Sequence, residues 1–256
     1  MTQTQFDSET DETDAPSDDG ALSEFFEAEW ITEVVREVKS GKEGTVYCCR
    51  AAARTGHDLL AAKVYRPPEH RLFHNRAVYE EGRWIGDRRL GRALAKKTRV
   101  GRALGADIWV AHEYETLALL HGAGAAVPKP VARSGQALLM TYVGDLDRAA
   151  PLLQHAEIPS DEAASLFRRL LREIGLWLGC GRVHGDLSPY NILYWNGEPT
   201  VIDFPQAVDI ETNPQARALL TRDVTNLCRF FARYGVRADP EMVAFDLWRR
   251  EGPRGW

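Results

Sequence analysis

The sequence predicts an α+β fold of two lobes, a small antiparallel sheet carrying one helix and then a shortened, mainly helical lobe. Three observations lead there. Residues 31–65 read as three strand-like runs, ITEVVREVKS, TVYCCRAA and LLAAKVY, separated by turn signals at Gly41 to Gly44 and at RTGHD. After Gly144 the apolar spacing becomes helical. A polar run with the residue types of a reaction centre, HGDLSPYN, lies in the helical half. With 256 residues, 44% of them hydrophobic, the chain can bury one ordinary core or two small lobes.

Residues 1–28 open the chain as an acidic tail. The first 20 hold seven acids and no base, which leaves the rest of the chain at a net charge of +2. So little apolar surface cannot offset the entropy of ordering, and the tail is expected to be disordered. The sheet lobe is expected over 29–144. Within it, residues 66–102 carry eleven bases against four acids, and this net +7 suggests a flexible basic loop. A helix fits Ile108 to His121, with Trp109, Val110, Tyr114, Leu117 and Leu120 on one face. Two short strands follow, in VPKPVARS and ALLMTYVG.

The helical lobe is expected over 145–256. Ser160, Asp161 and Glu162 read as an N-cap and acidic first turn for a helix whose face is Leu166, Phe167, Leu170, Leu171, Ile174 and Leu178. NILYW and PTVIDF form a hairpin about NGE, and two further helices fit 214–234 and 240–250.

Composition removes several classes. No stretch approaches the roughly 20 apolar residues that cross a bilayer, and the N-terminus lacks a basic then apolar leader. No membrane partner and a cytoplasmic location are therefore expected. Cys48, Cys49, Cys180 and Cys228 show no C-x-x-C spacing, which predicts inert thiols rather than a zinc site or disulfides.

The strongest chemical signal is HGDLSPYN followed by IDF. Phosphoryl transfer needs an oriented nucleophile and neutralised phosphate oxygens, and carboxylate and amide oxygens holding Mg2+ supply the second. In this pattern Asp186 orients or deprotonates the acceptor, Asn191 and Asp203 hold metal, and His184 braces the loop. In the sheet lobe, SGKEGTVY can cover phosphates with backbone N–H groups, and Lys63 on the third strand can reach the α- and β-phosphates. Glu113 or Glu115 would pair with Lys63, and two residues apart on a helix only one can face it. Met140 would back an adenine pocket, with the backbone through Tyr142 and Val143 as its hinge.

At these residues the chain resembles the RIO family of atypical serine/threonine kinases and ATPases. SGKEGTVY is similar to the family's S-T-G-K-E-A-N-V-Y, HGDLSPYN to its H-x-D-L-S-x-Y-N, and IDFPQ to its I-D-F-P-Q. The resemblance spans about residues 31 to 250 and implies a protein-kinase-like fold with ATP and Mg2+ as cofactors. It implies ATP-binding and metal roles for Lys63, Glu113, Asp186, Asn191 and Asp203, and phosphate covering by Ser40 and the loop Lys42, Glu43, Gly44 to Val46. It also implies an aspartyl-phosphate at Asp203, and the branch of the family without a winged-helix domain. A protein substrate is expected, as is an RNA or ribonucleoprotein partner through residues 66–102. The alternative is a small-molecule kinase of the aminoglycoside-phosphotransferase type, which shares H-G-D and the later Asn.

Overall fold

The structure is a computed structural model, and it describes residues 18–41, 44–66 and 99–253. Helix α1 (Asp18–Glu27) leads into a five-stranded antiparallel sheet of β1 (Ile31–Ser40), β2 (Gly44–Ala51), β3 (Leu59–Tyr65), β4 (Pro130–Ser134) and β5 (Ala137–Thr141). The spatial order is β1-β2-β3-β5-β4, and α2 (Arg99–Gly122) packs beneath β4 and β5.

Period-2 alternation gives this sheet two apolar faces. One face carries Leu60, Ala62, Val64, Ala137 and Leu139, all buried in a cluster with Leu22 and Phe25 of α1. The other carries Ala61, Tyr65, Leu138 and Met140, which join Val110, Leu117 and Leu120 of α2 in the main core. The expectation of a disordered tail through residue 28 is therefore corrected for residues 18–28. Leu22 and Phe25, one helical turn apart, are 4% and 1% exposed, and burying two large side chains on the sheet offsets the entropy of ordering. The sheet lobe thus holds two helices rather than one. The second begins at Arg99 rather than Ile108, so the basic segment's last residues are helical.

Beyond the sheet, α3 (Ser160–Gly179), α4 (Ala216–Ala232) and α5 (Pro240–Glu251) build the second lobe. All the apolar positions anticipated on α3 are buried or packed against the core. Its cap differs from expectation: Pro159 is the N-cap residue and makes no side-chain cap bond, so Ser160 lies inside the first turn. Two small hairpin-like sheets pair β6 (Arg182–Val183) with β9 (Val208–Asp209) and β7 (Ile192–Trp195) with β8 (Glu198–Val201). The β7–β8 turn is Asn196-Gly197 at φ 51° and 81°, the left-handed pair that a tight hairpin requires. All four cysteines are free, and burial pushes the Cys49 thiol up to about 12, so it stays protonated and inert. Among the described residues no helix is long and apolar enough to cross a membrane.

Candidate active site between the lobes

Lys63 is the centre of the cleft. It sits on β3, two residues from the strand's end, on the face turned toward α2. Its Nζ donates to both oxygens of Glu113 at 3.1 and 3.0 Å and to Oδ1 of Asp203 at 2.7 Å. Glu113 is fully buried and Glu115 exposed, which decides between the two candidates. Glu113 also accepts the Phe204 N–H at 3.0 Å, so a single carboxylate fixes both the strand lysine and the chain just after Asp203.

One cation here faces two carboxylates. Burial works against the charge on Lys63, but Asp203 and Glu113 outweigh it and raise its pKa. Burial likewise opposes the Asp203 charge, yet the adjacent Lys63 holds that carboxyl below its usual range. Glu113, the deeper acid, is raised by burial beyond what Lys63 recovers. The cluster is short of positive charge, which is the electrostatic condition for binding a divalent cation. Asp203 has φ 73°, a left-handed backbone rare for a non-glycine residue and typical of functional sites.

Asp186 and Asn191 flank this cluster on the loop after β6. Asn191 Nδ2 donates to the Asp186 carbonyl at 2.8 Å, which leaves the amide oxygen as its free donor atom for a metal. Asp186 is exposed, yet partial desolvation raises its pKa, with Arg222 opposing the shift and Asp203 adding to it. Asp203 and Asn191 offer hard oxygen donors that fit Mg2+. Among the described residues no group of three or more His, Cys, Asp or Glu could hold a metal alone. An ion here would be held by one or two protein oxygens together with phosphates.

His184 braces the loop as expected. Its Nδ1 accepts the Asp186 N–H at 3.3 Å, so Nε2 carries the proton and donates to the Ile202 carbonyl at 3.1 Å. The ring is 1% exposed and packs 4.5 Å from the Phe204 ring. Burial lowers its pKa from 6.5 to about 4. The unfolded chain then takes up a proton that the folded one refuses, so stability falls as pH drops from 6.5 toward 4, by about 3 kcal/mol. The stability difference between wild type and His184→Gln should shrink by that amount between pH 7 and pH 4 in urea titrations. A difference that stays constant with pH would contradict the neutral, buried histidine.

The remaining predicted residues divide. Ser40 and Gly44 close the β1–β2 turn, where Ser40 Oγ lies 3.4 Å from Thr45 Oγ1 and accepts from Arg66 at 2.6 Å. A Cβ on Gly44 would collide with the Val64 carbonyl, so glycine lets β2 lie close on β3. Val46 stands directly opposite Lys63 in the sheet, and Met140 opposite Ala61. Tyr142 and Val143 follow β5, with the Val143 carbonyl accepting the Ala150 N–H at 3.0 Å. Lys42 and Glu43 lie outside the described residues, as do 1–17 and 67–98, so the geometry bears neither on the loop tip nor on the RNA contact.

The RIO domain model matches residues 45–243. The chain belongs to the RIO family. It is 34% identical over 220 residues to the RIO-type serine/threonine-protein kinase Rio1 of Haloferax volcanii, spanning 85% of this chain and 70% of that one. It is 30% identical over 194 residues to Rio1 of Thermoplasma acidophilum, spanning 75% and 94%. A Rio2 kinase from Chaetomium thermophilum, solved as an ADP/Mg2+-phosphoaspartate complex, superposes with a TM-score of 0.68 at 23% identity, over 92% of this chain and 66% of that one. The kinase-like fold and the family resemblance are thus both borne out, and the aminoglycoside-phosphotransferase alternative is not favoured.

Three residues of this RIO chain's site escaped the sequence reading. Asp223 of α4 is 2% exposed and accepts the N–H groups of Gly185 and Leu187 at 2.8 and 2.9 Å. Arg222 donates to the Gly185 carbonyl, and Asn226 Nδ2 to the Leu187 carbonyl at 2.9 Å. Together they hold the loop on both sides of Asp186. Gly185 has φ 81°, a conformation glycine adopts at no steric cost. Asp223 falls among Leu219, Leu220, Val224 and Leu227, all buried, and an acid on the apolar stripe of a helix is a signal that could have marked it.

Proposed function

We propose that this RIO chain is an ATP- and Mg2+-dependent phosphotransferase that works as a serine/threonine kinase or ATPase switch, and that Asp203 carries the phosphoryl group. The observation that supports it is the Lys63–Glu113–Asp203 cluster, with Asp186 near enough for the Asp203 charge to act on it. Lys63 has two acids to neutralise and a position on the sheet from which to reach the α- and β-phosphates. Glu113 fixes its reach. Mg2+ held by Asp203 and Asn191 would neutralise phosphate charge.

Asp203 has one oxygen committed to Lys63. Its other oxygen attacks the γ-phosphorus, the bond from phosphorus to the bridging oxygen breaks, and ADP leaves with that electron pair. Water then cleaves the acyl phosphate to release inorganic phosphate and restore the carboxylate. On the kinase path, a serine or threonine hydroxyl attacks instead and passes its proton to Asp186. A phosphoaspartate in the Rio2 complex supports the first path for this chain.

Incubation with γ-labelled ATP and Mg2+ separates the two. Label on wild-type protein should be released by hydroxylamine, and Asp203→Asn should lose both labelling and hydrolysis. Hydroxylamine-stable label on a serine, with none at Asp203, would establish direct kinase chemistry and rule out the acyl phosphate.

A further inference from the structure

Tyr190 is a large aromatic residue left in solvent, 52% exposed, on the loop between Asp186 and Asn191. A single exposed aromatic is ordinary on a protein surface, but three properties set this one apart. The first is a stiff base. Tyr190 sits in a 3-10 turn (Pro189–Asn191) where the Ser188 hydroxyl accepts its N–H at 3.3 Å and the Ser188 carbonyl accepts the Asn191 N–H at 2.9 Å. Pro189 is buried, and its carbonyl accepts the Gln154 N–H at 3.1 Å. The backbone is fixed while the ring stays outside the core.

The second is a partner ring. His155, also exposed, stands 5.9 Å from the Tyr190 ring at 79°, edge to face. Among the described residues neither the Tyr190 hydroxyl nor a His155 ring nitrogen has a hydrogen-bond partner. Rigid rings offer contact area at little cost in conformational entropy, and both carry polar atoms able to hydrogen-bond a peptide group.

The third is position. The bond from Asn191 Nδ2 to the Asp186 carbonyl closes residues 186–191 into one small loop. Four residues separate Tyr190 from Asp186, which holds their Cα atoms within about 14 Å even for an extended chain, and the closed loop brings them nearer. The stretch after Asp203 offers no comparable surface: of residues 204–208 all but Gln206 are buried.

We infer that Tyr190 and His155 form the docking platform for the phosphoryl acceptor, and that this acceptor is an extended polypeptide. Its serine or threonine hydroxyl lies at Asp186, and the two rings pack an apolar side chain two or three residues away, a span of roughly 7 to 10 Å at strand rise. This rests on the kinase path proposed above and names its substrate class.

The test is a peptide library in which one serine or threonine is flanked by degenerate positions, incubated with γ-labelled ATP and Mg2+. Wild type should prefer an apolar side chain two or three residues from the labelled hydroxyl. Folded Tyr190→Ala should lose that preference, and its KM for the best peptide should rise at least about tenfold, with kcat and the KM for ATP within about threefold of wild type. His155→Ala should raise the same KM by at least about threefold, and Tyr190→Phe, which keeps the ring, should stay within about threefold of wild type. An unchanged preference in Tyr190→Ala would overturn the platform. A fall in kcat with peptide KM unmoved, or an equal rise in the KM for ATP, would make the turn a mere support for the Asp186 loop and overturn it too. Wild-type protein that hydrolyses ATP but labels no peptide would remove the polypeptide acceptor and leave the ATPase reading standing, whereas neither hydrolysis nor label would remove the phosphotransferase reading as well.

Discussion

Asp186→Ala should lower ATP turnover at least about a hundredfold while the protein remains folded and still binds nucleotide. The fold uses this residue through its backbone: its N–H donates to His184 Nδ1 and its carbonyl accepts from Asn191 Nδ2, and both survive the substitution. The residue is exposed, so in the proposed mechanism its loss removes the group that orients the attacking oxygen. Lys63→Ala should be as inactive but for a second reason as well. It leaves Glu113 and Asp203 buried against each other without their shared cation, so its melting temperature should fall where that of Asp186→Ala does not. Steady-state turnover beside thermal unfolding of both variants checks the contrast. Turnover within a few-fold of wild type in folded Asp186→Ala would sink the catalytic assignment.

Asp223→Ala is expected to be the most damaging change outside the cleft. It strands the N–H groups of Gly185 and Leu187, each buried donor costing about 1 to 3 kcal/mol when unpaired. Unfolding free energy should drop by about 3 kcal/mol or more, and kcat should collapse because the loop that aims Asp186 loses its anchor. Nucleotide affinity should change far less, since Lys63 and the hinge are untouched. Urea unfolding, kcat and KM on the one variant test all three together. A loss below about 1 kcal/mol with normal kcat would show that Arg222 and Asn226 hold the loop unaided.

The parts of this site that were legible in the sequence are those whose chemistry is carried within a short run. HGDLSPYN and IDF announce Asp186, Asn191 and Asp203 because the loop and the β7–β8 hairpin bring them together over few residues. Lys63 and Glu113 were readable from strand and helix periodicity, but the choice of Glu113 over Glu115 needed the helix's actual rotation against the sheet. Asp223 went unread although an acid on the apolar stripe of a helix marked it, because what it holds is a loop far away in sequence. Helix α1 was missed for another reason. Acidic composition dominated the window, and the two side chains that fix the helix have a purpose only once a sheet face exists to receive them.

That helix bears on where the folding unit begins. The recognisable family domain starts at residue 45, inside β2, and a clone cut to those limits would lack an edge strand and the lid over Leu60, Ala62, Val64 and Leu139. Even a clone starting at Ile31 would put that greasy surface into water beside an edge strand, a combination that invites sheet-to-sheet sticking. Soluble, monodisperse protein should require residues from about Asp18 onward, so the unit that evolution labels and the unit that folds have different lengths.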